Sequence, residues 1–187
     1  MNNNTYVHKY IKGIINKQDE VVDMTMGNGF DTLLLAQISK HVYSFDINKQ
    51  AIINTQEKVK DYDNVSLILD NHINIDKYID HKVKLFLFNL GYLPNSDDKS
   101  ITKKDETLIA FKKAYDLLID KGYIIITFYL GHIGGKDEYY LLDKYIKDNN
   151  INVLEKYRAY RHFDEPITYI IKKKLIWASS FMLGDIH

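Results

Sequence analysis

Glu20-Val21-Val22-Asp23-Met24-Thr25-Met26-Gly27-Asn28-Gly29-Phe30-Asp31-Thr32 is the stretch on which the fold turns. A short apolar run ending in an acid reads as a buried parallel strand over Glu20–Met24. Gly27 and Gly29 permit a tight turn and let a ligand approach the backbone. Asp31 and Thr32 then open a helix over 31–39, with Leu33-Leu34-Leu35-Ala36 and Ile38 as its buried face.

Outward from this stretch the pattern repeats. His41–Asp46 is a second strand ending in an acid, and residues 48–60 form a helix. Val65–Leu69 is a third strand that ends at Asp70, and Lys84–Phe88 a fourth that ends at Asn89. A helix over 103–119 carries Leu108, Phe111, Ala114, Tyr115 and Leu118 on one side. Gly122–Phe128 is a fifth strand, and residues 136–149 are helical. Val153–Tyr160 and Ile167–Lys172 form a closing antiparallel pair. Ahead of all these, Tyr6, Val7, Tyr10, Ile11 and Ile14 mark a helix over 5–17. Strands alternating with helices predict an α/β fold with a mainly parallel sheet. Right-handed crossovers make it doubly wound, with helices on both faces. Ligands bind such sheets beyond the carboxyl ends of the strands, near the reversal of strand order. Asp23, Asp46, Asp70 and Asn89 all stand at that edge.

These residues suit a nucleotide-type cofactor. The helix opening after Gly29 offers unpaired N–H groups. A dinucleotide fingerprint would place a third glycine where Thr32 stands, and no Lys-Ser or Lys-Thr follows the glycines as a P-loop requires. Asp23, four residues before the first glycine, is placed to face a cationic ligand end. An acid beside backbone N–H groups suits the amino-acid end of S-adenosyl-L-methionine. Asp46 is placed to bind ribose hydroxyls, and Asp70-Asn71-His72 to hold an adenine edge. The candidate cofactor contacts are Asp23, Thr25, Gly27, Asn28, Gly29, Asp31, Thr32, Asp46, Ile47, Gln50, Asp70, Asn71, His72 and Asn89. Substrate would enter at Asn89-Leu90-Gly91-Tyr92-Leu93-Pro94, with Asp97, Lys99, Tyr129, His132 and Arg161 as further candidates. Asn89, Tyr92 and His132 are the candidate catalytic groups. A non-catalytic nucleotide- or RNA-binding module and a dehydrogenase remain as rival readings.

Composition bounds the rest. The 187 residues suit one domain, with 45% hydrophobic and 27% charged residues. The absence of cysteine excludes a disulfide framework, a thiolate zinc site and a cysteine nucleophile. The seven histidines show no metal-ligand spacing, so no metal is expected. No apolar run is long enough to cross a bilayer, and Met1–Gly13 lacks a secretory core, so no membrane partner and a cytoplasmic location are expected. The net charge is zero, against a dedicated nucleic-acid binder. A basic face could still come from Lys103, Lys104, Lys112, Lys113, Arg158, Arg161 and Lys172–Lys174. The extension over 175–187, with Ile176-Trp177-Ala178 and Phe181-Met182-Leu183, either covers a partner subunit in a homodimer or finishes the core.

VVDMTMGNGFDT, HVYSFDI, FNLGYLP with DKSIT close behind, and GHIGGKDE together resemble the YtqB/MnmM-type bacterial methyltransferases, in the same order and with similar spacing. The likeness covers roughly residues 5–174. It implies a class I methyltransferase (Rossmann-like) three-layer sandwich using S-adenosyl-L-methionine. It also implies methylation of the aminomethyl group on the wobble uridine of tRNA, in the anticodon stem-loop, giving 5-methylaminomethyl-2-thiouridine. Methylation of another RNA position or of a small molecule fits the same loop.

Overall fold

Apolar side chains at successive strand positions bury both faces of one sheet. In the computed structural model, residues 1–90, 104–131, 134–159 and 165–175 are described. The strands are β1 (Glu20–Asp23), β2 (His41–Asp46), β3 (Val65–Leu69), β4 (Val83–Leu90), β5 (Leu118–Phe128), β6 (Val153–Tyr157) and β7 (Ile167–Lys172). The helices are α1 (Asn3–Ile14), α2 (Phe30–Ile38), α3 (Lys49–Val59), α4 (Lys104–Leu117) and α5 (Gly135–Asp148), with a 3-10 segment over His72–Lys77. The sheet order is β3-β2-β1-β4-β5-β7-β6. β1 to β5 are mutually parallel, and β7 runs antiparallel to both β5 and β6. The order reverses between β1 and β4, so the switch point lies where the glycine loop and Asn89 meet.

Strand alternation sorts the core into two layers. Val21, Leu85, Leu87, Tyr123 and Ile125 pack with Val7 and Ile11 of α1 and Leu35 of α2. Val22, Phe86, Phe88, Ile124 and Ile126 pack on the other face with Phe111 of α4 and Leu142 and Ile146 of α5. Phe86, Phe88 and Phe111 are wholly buried, each worth roughly 1.5–3 kcal/mol in area removed from water. The result is the expected three-layer α/β sandwich.

Several boundaries differ from the sequence reading. The first helix starts at Asn3 rather than residue 5, because Asn2 caps it by accepting from the Thr5 N–H at 2.8 Å. It stops at Ile14 rather than 17, where Asn16 and Asp19 bond the local backbone in a competing turn. The fourth strand continues through Asn89 to Leu90. The fifth begins at Leu118, four residues before Gly122, with Lys121 at φ 60 in the kink between. The sixth ends at Tyr157 rather than 160. α1 is tied across the sheet by the Asn3 amide, which donates to Thr168 Oγ1 at 2.6 Å, and by Tyr157, whose hydroxyl donates to the Met1 carbonyl at 2.7 Å. Residues 176–187, read as a subunit cover or a core extension, lie outside the described residues.

Candidate active site

The loop between β1 and α2 is held by its neighbours on both sides. Met24 N–H donates to the Leu87 carbonyl of β4 at 2.8 Å, and Met26 N–H to the Phe45 carbonyl of β2 at 2.9 Å. Gly27 and Gly29 take positive φ, 51° and 77°. Gly29 is the N-cap of α2 and has no side chain to satisfy its first N–H groups. A Cβ on Gly29 would lie 2.5 Å from Thr55 Oγ1 and 2.9 Å from Thr55 Cα, so the loop presses directly on α3. Asn28 accepts from the Asn54 amide at 3.0 Å.

Two expected cofactor contacts are turned inward instead. Thr32 is wholly buried, and its hydroxyl donates to Asp23 Oδ2 at 2.7 Å beside Ser44 Oγ. Asp23 is 1% exposed and also accepts from the Thr25 N–H at 3.2 Å. The acid read as facing a cationic ligand therefore fastens the loop. Thr25 spends its hydroxyl on the Asn89 N–H, at 2.7 Å.

Burial, then the negative charge of Asp31, pushes the Asp23 carboxyl up to about 7. An acid with a folded pKa above its unfolded ~3.9 binds its proton more tightly when folded. Its contribution to stability is full at low pH and is lost as pH rises through that window. Asp23→Asn has no such loss. Its stability relative to the unsubstituted protein is expected to rise between pH ~4 and ~7 in urea titrations. A difference that does not change with pH would mean that Asp23 titrates in the fold as it does in the unfolded chain.

Alternation along β4 places Asn89 on the same face as Leu85 and Leu87, toward α1 and α2. There its amide Nδ2 donates to Asp31 Oδ2 at 2.5 Å. The other oxygen of Asp31 meets His8 Nε2 of α1, also at 2.5 Å. Tyr129 lies half-buried at the end of β5, where burial and the Asp31 charge push its phenol pKa up. Leu90, expected at the substrate, points the opposite way and is 2% exposed in the core beside Phe88.

On the other side of the switch point, Asp46 closes β2. Its Oδ2 accepts from the Gly27 N–H at 2.9 Å and its Oδ1 from the Asn48 N–H at 2.9 Å. Each oxygen keeps a further lone pair for ribose-type hydroxyls. Ile47 beside it is 53% exposed, a flat apolar wall. In the Asp70-Asn71-His72 cluster most polar atoms already have partners within the chain. Asp70 serves Asn71, Asn74 and Tyr78, while Asn71 serves Ile73 and Glu106. His72 is buried with Nδ1 3.1 Å from the Met24 carbonyl, and its Nε2 has no partner among the described residues. Burial lowers the His72 pKa, so the ring is neutral and that nitrogen accepts. Gln50 turns its amide along α3 to Asn54 rather than toward the loop.

Gly91, Tyr92, Leu93, Asp97, Lys99, His132 and Arg161 lie outside the described residues. The sequence reading missed His8, since nothing in an amphipathic α1 says that it docks beside the end of β1. It missed Glu106, the partner of Asn71 across to α4, for the same reason. Several lysines read as a basic face are engaged within the chain. Lys113 bonds Asp76 and the Ile73 carbonyl, Lys173 bonds three carbonyls from Tyr115 to Leu118, and Lys112 and Lys172 lie over Tyr145 and Tyr123. Among the described residues no three His, Asp or Glu side chains group as metal ligands, and no helix is long and apolar enough to cross a membrane.

The chain is similar to known methyltransferases across this whole architecture. The family model described as "Putative rRNA methylase" matches residues 42–172. A chloroplastic tRNA (mnm(5)s(2)U34)-methyltransferase of Arabidopsis thaliana is 35% identical in an alignment of 147 positions that covers 70% of this chain. The chain spans about half that relative's length, 54%. A Streptococcus mutans protein assigned to the methyltransferases and solved in complex with SAH superposes with a TM-score of 0.83 at 32% identity, over 92% of this chain and 98% of its own. A Clostridium thermocellum protein assigned as an rRNA-methylase gives 0.82 at 37% identity, over the same shares. These likenesses agree with the motif resemblance and with S-adenosyl-L-methionine as the cofactor. The loop, the β1–β4 switch point and the matched span together show that the chain belongs to this rRNA methylase family, with the class I methyltransferase fold.

Proposed function

We propose that the protein methylates the amine of 5-aminomethyl-2-thiouridine at the wobble position of tRNA. The observation that carries this reading is Asn89, an amide fixed by Asp31 at the end of β4, where the strand order reverses. The name of the Arabidopsis relative supports the choice of substrate.

The open groups fit the cofactor. Asp46 would hold ribose hydroxyls, Ile47 an adenine face and His72 Nε2 an adenine edge, while the uncapped first turn of α2 suits a carboxylate. S-adenosyl-L-methionine supplies a methyl group on positive sulfur, the electrophile of the reaction. An alkylamine resembles lysine, with a pKa near ~10.4 in water, and only its neutral form attacks. Enclosure at the Asn89 edge favours that form. Asn89 Oδ1 accepts an amine N–H and so aims the nitrogen lone pair. The N–C bond forms as the C–S bond breaks, and the product amine releases one proton to solvent. The anticodon stem-loop is the proposed partner, and Tyr92 and His132 are the groups proposed to act on it. We place the reaction in the cytoplasm, which the cysteine-free composition supports.

A second reading, methylation of a ribosomal RNA position, is favoured by the family description and the Clostridium relative. Mass spectrometry of nucleosides from a deletion strain separates the two. The tRNA reading expects loss of 5-methylaminomethyl-2-thiouridine and accumulation of the aminomethyl precursor. An unchanged tRNA profile with a methyl group missing from rRNA would replace it by the second reading.

A further inference from the structure

His8, Asp31 and Asn89 come from three separate elements and form one continuous hydrogen-bonded line. α1 supplies His8, α2 supplies Asp31, and β4 supplies Asn89. His8 and Asp31 lie outside the 42–172 span matched by the family model. An ionised carboxylate only accepts hydrogen bonds. Asp31 therefore obliges the Asn89 amide to turn its NH2 inward and leaves Oδ1 as the edge presented to an incoming donor. Among the described residues both oxygens of Asp31 are engaged: Oδ2 on Asn89, Oδ1 on His8. Removing the His8 donor frees one end of the carboxylate, which can then rotate and release the amide.

We infer that His8 is a positioning residue for methyl transfer: through Asp31 it fixes the amide of Asn89 with its oxygen toward the substrate amine. The inference rests on the proposed role of Asn89 in amine methylation. α1 does not depend on His8 for its place, because Val7, Ile11 and Ile15 are buried beneath it and Asn3 bonds Thr168. His8→Ala is thus expected to fold.

Four purified proteins test this: the unsubstituted chain, His8→Ala, His8→Gln and Asn3→Ala. With tRNA lacking the methyl group as acceptor, kcat of His8→Ala is expected to fall about 10- to 100-fold, the scale of a slightly misplaced reacting group. Its KM for S-adenosyl-L-methionine is expected to stay within about twofold. His8→Gln, which restores an N–H donor of similar reach, should recover most of kcat. Asn3→Ala loosens α1 without touching Asp31 and should lower stability while leaving kcat near that of the unsubstituted chain. A drop in kcat for Asn3→Ala equal to that for His8→Ala would reduce His8 to a helix strap and overturn the proposal. A second measurement needs no RNA. The side-chain amide signals of Asn89 in 15N-labelled protein, assigned by their loss in Asn89→Ala, are expected to shift and exchange faster in His8→Ala but not in His8→Gln. Unchanged Asn89 signals in His8→Ala overturn the proposal whatever the substrate is. An unsubstituted protein inactive on the tRNA, with Asn89 signals that respond as expected, sinks the substrate reading alone.

Discussion

Gly29→Ala is expected to lower the unfolding free energy by about 2–5 kcal/mol and to abolish measurable cofactor binding. Two separate costs add. At φ 77° an L side chain sits in the left-handed region, which costs about 1–2 kcal/mol. The new methyl would also stand 2.5 Å from Thr55 Oγ1, 2.8 Å from Thr55 Cγ2 and 2.9 Å from Thr55 Cα. Part of that contact is backbone, so a rotamer change cannot relieve it, and overpacking of this kind costs about 1–3 kcal/mol. The loop would relax by moving away from α3, which displaces Gly27 from Asp46 and breaks their 2.9 Å bond. Urea unfolding and calorimetric titration with SAH read the two effects. A variant as stable as the unsubstituted protein, with SAH affinity retained, would show that the loop does not depend on this contact.

Asn89→Ala is expected to reduce kcat about 100- to 1,000-fold with little change in cofactor affinity. The amide oxygen is the group assigned to orient the attacking amine, and removing one preorganised polar group from a reacting centre typically costs on this scale. The main-chain N–H of residue 89 still donates to Thr25 Oγ1, so the strand end and the loop keep their junction. The loss should therefore appear in kcat and equally in kcat/KM, the pattern of an interaction made in the transition state. Single-turnover methylation at saturating S-adenosyl-L-methionine measures it. Undiminished transfer would remove Asn89 from the mechanism.

Elements with period-2 or helical apolar patterns are legible in the sequence. Among the described residues the seven strands and five α-helices lie where the apolar runs put them, because burial on two faces demands those runs. The ends were less legible. Asn2, Asn16 and Asp19 decide where α1 starts and stops through local side-chain bonds that compete with apolar periodicity. In the site, the sequence put Asp23, Asp46 and Asn89 at one edge, and the topology does so too. It could not tell which acids would be consumed internally. Asp23 and Thr32 bond each other, and Asp70 bonds its own turn, since a buried polar group takes the nearest partner available. His8 was invisible because its role arises from long-range docking of α1, a relation between residues 23 positions apart that no local pattern encodes.

The tie from Asn3 to Thr168 also fixes an order of events during synthesis. The two residues are 165 positions apart. At typical synthesis rates roughly 8–33 s separate their emergence from the ribosome. For that interval α1 has no β7 to bond, and a helix of 12 residues is marginal by itself in water. The parallel core can condense first, around strands whose partners are already made. Val7 and Ile11 can pack on Val21 and Leu35 in that interval, and the tie of α1 to β7 is made last. Full anchoring of the N-terminal helix is thereby coupled to completion of the chain through β7, so a nascent or prematurely stopped polypeptide lacking that strand would hold α1 without its tie across the sheet.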